Sequence, residues 1–176
     1  FKLDNAKRKT PIDPNEKPAA QRARKKKLLL NYGAFFEYYL PHYATAKCGW
    51  FHIMVADALL KHQVIRLVLE WFRGAAKSVH ADIGFPLWLK AHGRLKCMVL
   101  VGQSRAKACN LLADLQAELI ANQRYIHDYG EQYSHGNWES GNFKTKDACS
   151  FNALGVGQSP RGLREARWRP ARSAQG

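Results

Sequence analysis

Two stretches of the chain carry the clearest helical pattern of hydrophobic positions. In residues 50–61 the apolar side chains recur at i, i+3, i+4, i+7 and i+8, and they are Phe51, Met54, Val55, Ala58 and Leu59. This spacing predicts an amphipathic helix with one apolar face. Residues 105–122 repeat the pattern after Ser104, a residue type that caps helix N-termini well, and predict a second helix.

Two further helices are predicted from weaker patterns. Residues 21–39 combine a basic first half with an aromatic second half, which should pack while the first half faces solvent or phosphate. Residues 77–91 can also be helical, although Gly84 and Pro86 should break or kink that helix.

Short apolar runs of strand length stand between the helices. Residues 64–69 and 97–101 are almost continuously apolar, as in strands of a sheet that is covered on both faces. Residues 143–145 and 148–153 predict a β-hairpin. The alternation of helices and strands favours an α/β fold with a largely parallel sheet.

Prolines and charge divide the chain into four regions. Residues 1–20 contain three prolines and many charges, which predicts a flexible basic arm. A helical segment is expected over 21–45, the folded domain over 46–170 and a tail over 171–176. At 176 residues and 46% hydrophobic content, the chain is long and apolar enough to bury one core.

The charge balance points to a polyanionic partner. Lysine and arginine number 28 against 14 acidic residues, which gives a formal net charge of +14. Such a surface attracts nucleic acid. Because the excess is concentrated at the two ends of the chain, a solvated arm and a solvated tail are the alternative explanation.

Several classes of protein are disfavoured. The apolar runs are too short to span a bilayer, which takes about 20 residues, and no signal peptide is apparent. The four cysteines form no C-x-x-C pair, so zinc and redox motifs are not indicated. We therefore expect a cytoplasmic protein with reduced thiols and no membrane partner.

The stretch 71–78 carries the candidate chemistry. A predicted strand leads into a loop of small residues that ends in Lys77 and Ser78 at a helix start. Phosphate-binding loops use this arrangement, because unpaired N–H groups at a helix start hold phosphate oxygens. The common pattern G-x-x-x-x-G-K-[ST] is incomplete here, since Trp71 and Ala76 stand at its glycine positions. The alternative is a strand-to-helix turn with a solvated lysine.

Several segments together resemble the large terminase subunit of tailed bacteriophages, the ATPase that drives DNA into the capsid. Residues 73–78 fit that family's variant phosphate loop, R-G-x-[GA]-K-[ST], and 50–54 resemble its aromatic-histidine segment. Residues 99–108 are similar to the strand, turn and helix that follow, and 155–164 to its basic loop. The resemblance covers about residues 40–170.

The resemblance implies a P-loop NTPase-like fold that binds ATP and Mg²⁺. Lys77 would bind the β- and γ-phosphates, Ser78 would ligate magnesium, and Arg73 would stabilise the γ-phosphate, so that Lys77 and Arg73 are the expected catalytic residues. The remaining expected contacts are backbone N–H groups of Gly74, Ala75 and Ala76 on phosphate, Phe51 and His52 beside the adenine, and Arg161 and Arg164 on DNA.

The resemblance also implies partners and a location. These are double-stranded DNA, the capsid portal, the small terminase subunit and further copies in a ring, in the cytoplasm of a bacterial host. One part of the family pattern is missing: Arg169 and Pro170 are not followed by the acidic strand that holds magnesium and positions water, and no nuclease domain follows. We therefore expect a truncated ATPase part that hydrolyses ATP poorly by itself.

Two other functions remain open from the residues alone. The chain could be a non-catalytic, basic nucleic-acid-binding module in which the loop only connects two elements. It could also be an inactive prophage remnant.

Overall fold

The computed structural model describes residues 2–160. Its helices are α1 (Lys2–Lys9), α2 (Pro18–Leu28), α3 (Tyr32–Tyr39), α4 (Trp50–Lys61), α5 (Lys77–Val79), α6 (Phe85–Ala91), α7 (Arg105–Ala121) and α8 (Gln123–Tyr129), with a π-helical turn at His80–Gly84 between α5 and α6. Its strands are β1 (Cys97–Gly102), β2 (Trp138–Glu139), β3 (Asn142–Lys144) and β4 (Ser150–Gly155). The predicted α/β class is confirmed.

The sheet has the strand order β1-β4-β3-β2 and is mixed. β1 and β4 are parallel, with Cys97 opposite Ser150 and Gly102 opposite Gly155. β3 runs antiparallel to both β2 and β4. The expectation of a largely parallel sheet is therefore wrong for the described residues, because the predicted hairpin, which is confirmed, supplies antiparallel pairs.

The predicted strand over 64–69 is not formed. This segment has no assigned secondary structure, and Val64 and Val68 are almost fully exposed. Leu67 and Leu69 instead line an apolar cleft of about 270 Å³ together with Met98 of β1. The segment therefore lies near β1 through side chains without a backbone ladder, which an apolar run by itself cannot reveal.

The predicted flexible arm begins with a helix. α1 packs against α7 and buries Ala6, and Lys2 forms an ion pair of 2.7 Å with Asp114. The Thr10 hydroxyl donates to the Ala6 carbonyl and accepts the N–H of Gln123. Ala6 is the buried residue of α1, and the residues around it are mostly charged. The prolines that suggested a flexible arm all lie after α1, so they did not describe residues 2–9.

The predicted helix over 21–39 is two helices. Asn31 separates them, because its side chain accepts the N–H of Ala34 at 2.9 Å and caps α3. The predicted bounds of α4, β1 and α7 agree closely with the structure, and Ser104 caps α7 as expected. The buried side of α4, however, consists of His52, Val55 and Ala56, while Met54 is exposed.

The helix predicted over 77–91 contains a π-helical turn at His80–Gly84, close to the break or kink predicted from Gly84 and Pro86. The π-helical turn there brings the helix against the aromatic core, and a Cβ on Gly84 would lie 2.4 Å from the Tyr32 hydroxyl. Tyr32 also contacts Phe85 and Trp88 in that core. Among the described residues, none of the helices combines the length and apolarity needed to cross a bilayer.

Candidate functional site

The loop that precedes α5 contains two residues with positive φ. Gly74 has a φ of +92° and Ala76 lies in the left-handed region at φ 52° and ψ 32°. Left-handed residues beside a helix start turn successive N–H groups toward one side, which forms a concave anion-binding nest. Alanine pays about 1–2 kcal/mol for this conformation, so neighbouring contacts must enforce it.

The N–H groups at the start of α5 are open. The first helical bond of this region runs from the His80 N–H to the Ala76 carbonyl at 3.0 Å. The N–H groups of Ala76, Lys77 and Ser78 donate to no carbonyl of the described residues. Through the π-helical turn, the helix continues to Ala91, so its positive dipole end lies at this loop.

A shallow cavity of about 390 Å³ is lined by the continuous segment 71–79, which includes Ala76, Lys77 and Ser78. The side chains of Arg73, Lys77 and Ser78 are exposed there and form no ion pair or hydrogen bond with another described residue. Two unpaired cationic side chains and one hydroxyl therefore lie beside the N-terminus of α5. The lining segment contains no carboxylate.

His52 supports the loop from below. The residue is buried, its Nε2 lies 2.9 Å from the carbonyl oxygen of Ala75, and its Nδ1 accepts the N–H of Gly49 at 3.0 Å. Both ring nitrogens are thus engaged within the protein. The expectation that His52 borders the adenine is not supported by this position, because α4 presents the ring to the underside of the loop.

His80 lies directly beneath His52. The two rings stack with centroids 3.8 Å apart at 22°, and His80 Nδ1 lies 2.7 Å from the Tyr32 hydroxyl. Burial and the neighbouring His52 lower the pKa of His80 to about 4, so the ring is neutral at pH 7. The rings of His52 and His80 therefore connect the loop to Tyr32 in the aromatic core.

Phe51, which the resemblance implied beside the adenine, lies next to the loop. Its ring contacts Trp71 at 5.2 Å and Phe72 at 5.8 Å. Phe72 lines the cavity and is 70% exposed, which makes it the aromatic surface most open to a flat ligand. Sequence reasoning did not select Phe72, although an aromatic pair directly before Arg73 was a visible signal.

Cys48, His52 and His80 have side-chain ligand atoms within 4.8 Å of one another, a distance at which they could share a metal ion. The hydrogen bonds of His52 argue against this use, since a metal would have to displace Gly49 or Ala75. Burial raises the pKa of Cys48 to about 11, which disfavours the thiolate that binds metals. The cluster fits a packed support for the loop better than a metal centre.

The structure thus brings Arg73, Gly74, Ala75, Ala76, Lys77 and Ser78 together in one loop, with Phe51 and His52 adjacent. Arg161 and Arg164 lie outside the described residues. The loop also lacks the strand that was expected to precede it.

Comparison with protein-family models found no match, and comparisons with curated proteins and with solved structures found no significant match. The function of the chain is therefore inferred from the geometry of its loop and from the motifs in its sequence.

Proposed function

We propose that the loop 73–78 binds the phosphate groups of a nucleotide, and that the chain is the nucleotide-binding part of a DNA-packaging motor of the terminase large-subunit type. One observation carries the first part of this proposal, and the second part rests on the resemblance of the sequence to that family. Gly74 and Ala76 adopt left-handed conformations immediately before a helix, and this leaves the N–H groups of Ala76, Lys77 and Ser78 unpaired beside a free lysine.

The chemistry of a bound triphosphate assigns each group a role. The open N–H groups and the helix dipole attract phosphate oxygens. Lys77 adds a mobile positive charge for the β- and γ-phosphates, and the Ser78 hydroxyl is a ligand for the accompanying Mg²⁺. Arg73, at the opposite end of the loop, would stabilise charge on the γ-phosphate. Phe72 and Phe51 offer aromatic surface for the base.

Binding is better supported than hydrolysis. Phosphoryl transfer to water needs a group that positions the water and acidic ligands that help to hold magnesium. The residues that line the cavity include no carboxylate. We therefore propose that this chain binds ATP and hydrolyses it slowly by itself, while the motor function, with DNA, portal, small subunit and a ring of copies, belongs to a larger assembly in a bacterial host.

A basic nucleic-acid-binding module is the second candidate. The observation that favours it is α2, where Arg22, Lys26 and Lys27 are exposed in a chain of net charge +14. Such a surface would bind DNA through phosphate contacts alone, and this binding would weaken steeply with added salt. An inactive prophage remnant would bind neither ligand.

Isothermal titration calorimetry with a non-hydrolysable ATP analogue and Mg²⁺ tests the proposal. We expect Lys77→Ala to abolish measurable binding, and Lys61→Ala, which removes an exposed lysine at the end of α4, to leave binding unchanged. Both variants should unfold at the wild-type urea concentration, because surface changes are usually within about 0.5 kcal/mol.

Binding that persists in Lys77→Ala, or no binding by the wild-type chain, would contradict the proposal. Salt-sensitive DNA binding that ignores Lys77 would then favour the basic module. The absence of both activities would favour the inactive remnant.

A further inference from the structure

We infer that His52 is a positioning residue that sets the direction of an N–H group in the phosphate loop. This inference rests on the proposed function for its ligand, but its structural part can be tested separately. His52 reaches the loop through one hydrogen bond, from its Nε2 to the carbonyl oxygen of Ala75 at 2.9 Å.

The geometry of the peptide unit explains why that one bond matters. The described backbone contains no cis peptide, and in a trans peptide the C=O and the following N–H point in opposite directions. The Ala75 carbonyl points down to His52. The N–H of Ala76 therefore points up, toward the cavity and any bound phosphate. If this peptide flipped, the Ala75 carbonyl oxygen would point toward the cavity in place of the Ala76 N–H, and a hydrogen-bond donor to phosphate would be lost.

The tautomer of His52 is also set by the chain. The N–H of Gly49 donates to Nδ1 at 3.0 Å, so Nδ1 carries the lone pair and Nε2 carries the proton. Only this tautomer donates to the Ala75 carbonyl. The first turn of α4 thus determines which face of the loop peptide is turned to the ligand.

The ring beneath His52 prevents it from swinging away. His80 stacks on it and is itself held by the Tyr32 hydroxyl, for which Gly84 leaves room. Trp71, at the start of the loop, packs edge-on against His52 at 4.8 Å. Ala75 is only 6% exposed, which is consistent with a loop peptide that is held and not free to rotate.

Three substitutions at His52 separate a positioning role from simple packing. His52→Gln keeps an N–H donor near the Nε2 position, His52→Asn can replace only the bond to Gly49, and His52→Phe keeps the ring and its stacking. We expect the dissociation constant of His52→Gln for the ATP analogue to stay within about threefold of the wild-type value. In His52→Asn and His52→Phe we expect binding to be about tenfold weaker. Urea unfolding monitored by circular dichroism should confirm that each variant is folded.

The second measurement needs no nucleotide. Trypsin can cut after Arg73 within the loop and after Arg66, which is exposed in the preceding segment without secondary structure. We expect Asn and Phe to increase cleavage at Arg73 relative to Arg66 several-fold, and Gln to leave the ratio near that of the wild type. Phe is the decisive variant, because a packing role alone would leave its ratio unchanged.

These readouts distinguish the possible failures. If the wild-type chain binds no nucleotide but the cleavage ratios follow this order, the proposed function fails and the positioning of the loop stands. If Phe behaves as wild type in both measurements, the inference is overturned. A metal site at the same residues predicts that Cys48→Ser and a chelator loosen the loop as Asn does, and that result would also overturn it; we expect neither to have an effect.

Discussion

The loop supported by His52 and the cluster around Asp128 are two polar centres within the described residues, and they differ in how completely their groups are paired. The Asp128 carboxylate is fully buried and accepts hydrogen bonds from Arg24, Tyr39 and Gln21. Its backbone carbonyl accepts from Lys25. Arg24 is paired in turn with Glu16 at 2.6 Å. This cluster links α2, α3 and α8 and leaves no carboxylate oxygen open.

The loop is paired on one side only. Its Ala75 carbonyl is bonded to His52 and its Ala75 N–H donates to the Phe72 carbonyl, whereas the N–H groups of Ala76, Lys77 and Ser78 have no carbonyl partner among the described residues and the Lys77 side chain is exposed. A saturated buried network stabilises one arrangement of the chain, while unpaired donors at a concave surface are available to a ligand. The contrast separates a saturated buried network, which stabilises the fold, from unpaired donors, where we propose that a ligand binds.

The largest expected effect is at the saturated centre. Asp128→Asn removes the charge opposite Arg24 and should lower the free energy of unfolding by about 3 kcal/mol, since breaking a buried ion pair commonly costs about 3–5 kcal/mol and Arg24 keeps Glu16. Urea denaturation measures this loss. Affinity for the ATP analogue should not change, and a loss below about 1 kcal/mol would show that the cluster contributes less than its pairing suggests.

The next effect is a pH dependence near the loop. The pKa of His80 is lowered to about 4, so the unfolded chain takes up its proton first and stability falls as the pH drops from 7 to 5. Burial, with Asp114 nearby, raises the pKa of Asp82 to about 6, so there the folded chain takes up its proton first and offsets much of that loss.

The variant Asp82→Asn loses the stabilisation that comes from protonating Asp82, and it keeps the destabilisation that comes from His80. From these two groups we expect acidification from pH 7 to 5 to lower the free energy of unfolding by about 2 kcal/mol in the variant and about 0.5 kcal/mol in the wild type. Urea denaturation at both pH values measures the difference. Equal pH dependence in the two proteins would mean that the two groups do not titrate in opposition.

The smallest expected effect separates strain from function. Gly74 and Gly93 both have positive φ, and a Cβ at either would meet no atom within 4 Å. Alanine at each position should therefore destabilise the fold by a similar amount, about 1 kcal/mol. Only Gly74→Ala should also weaken binding of the ATP analogue, by about tenfold, because it alters the loop. Equal affinities of Gly74→Ala and Gly93→Ala for the ATP analogue would show that Gly74 does not contribute to ligand binding.

Local signals in the sequence predicted the elements whose causes are local. The bounds of α4 and α7, the cap at Ser104 and the hairpin of β3 and β4 agree with the structure, although the buried side of α4 differs from the predicted apolar face. Residues 73–78 were selected from their residue types, their spacing and the family resemblance. Their role as a phosphate loop stays a prediction, and Gly74 and Ala76 have positive φ in the structure.

Long-range pairing escaped prediction. The partner of His52 is 23 residues away, and Asp128 meets Arg24 across 104 residues, so no periodicity encodes either contact. The segment 64–69 has the composition of a strand, yet whether it joins a sheet depends on an edge elsewhere in the fold. The burial of His52 beneath the loop was likewise not predicted, because its contact with Ala75 is not local in sequence.

The π-helical turn at His80–Gly84 has a geometric consequence for the whole region. A π-helical turn amounts to one extra residue within a helix, and one residue corresponds to about 100° of rotation in an α-helix. The faces of α5 and α6 are therefore out of phase by that angle. This offset allows Trp88 to enter the core while His80 meets His52. Deleting one residue from the turn would restore a regular spiral and rotate Lys77 and Ser78 away from their present direction.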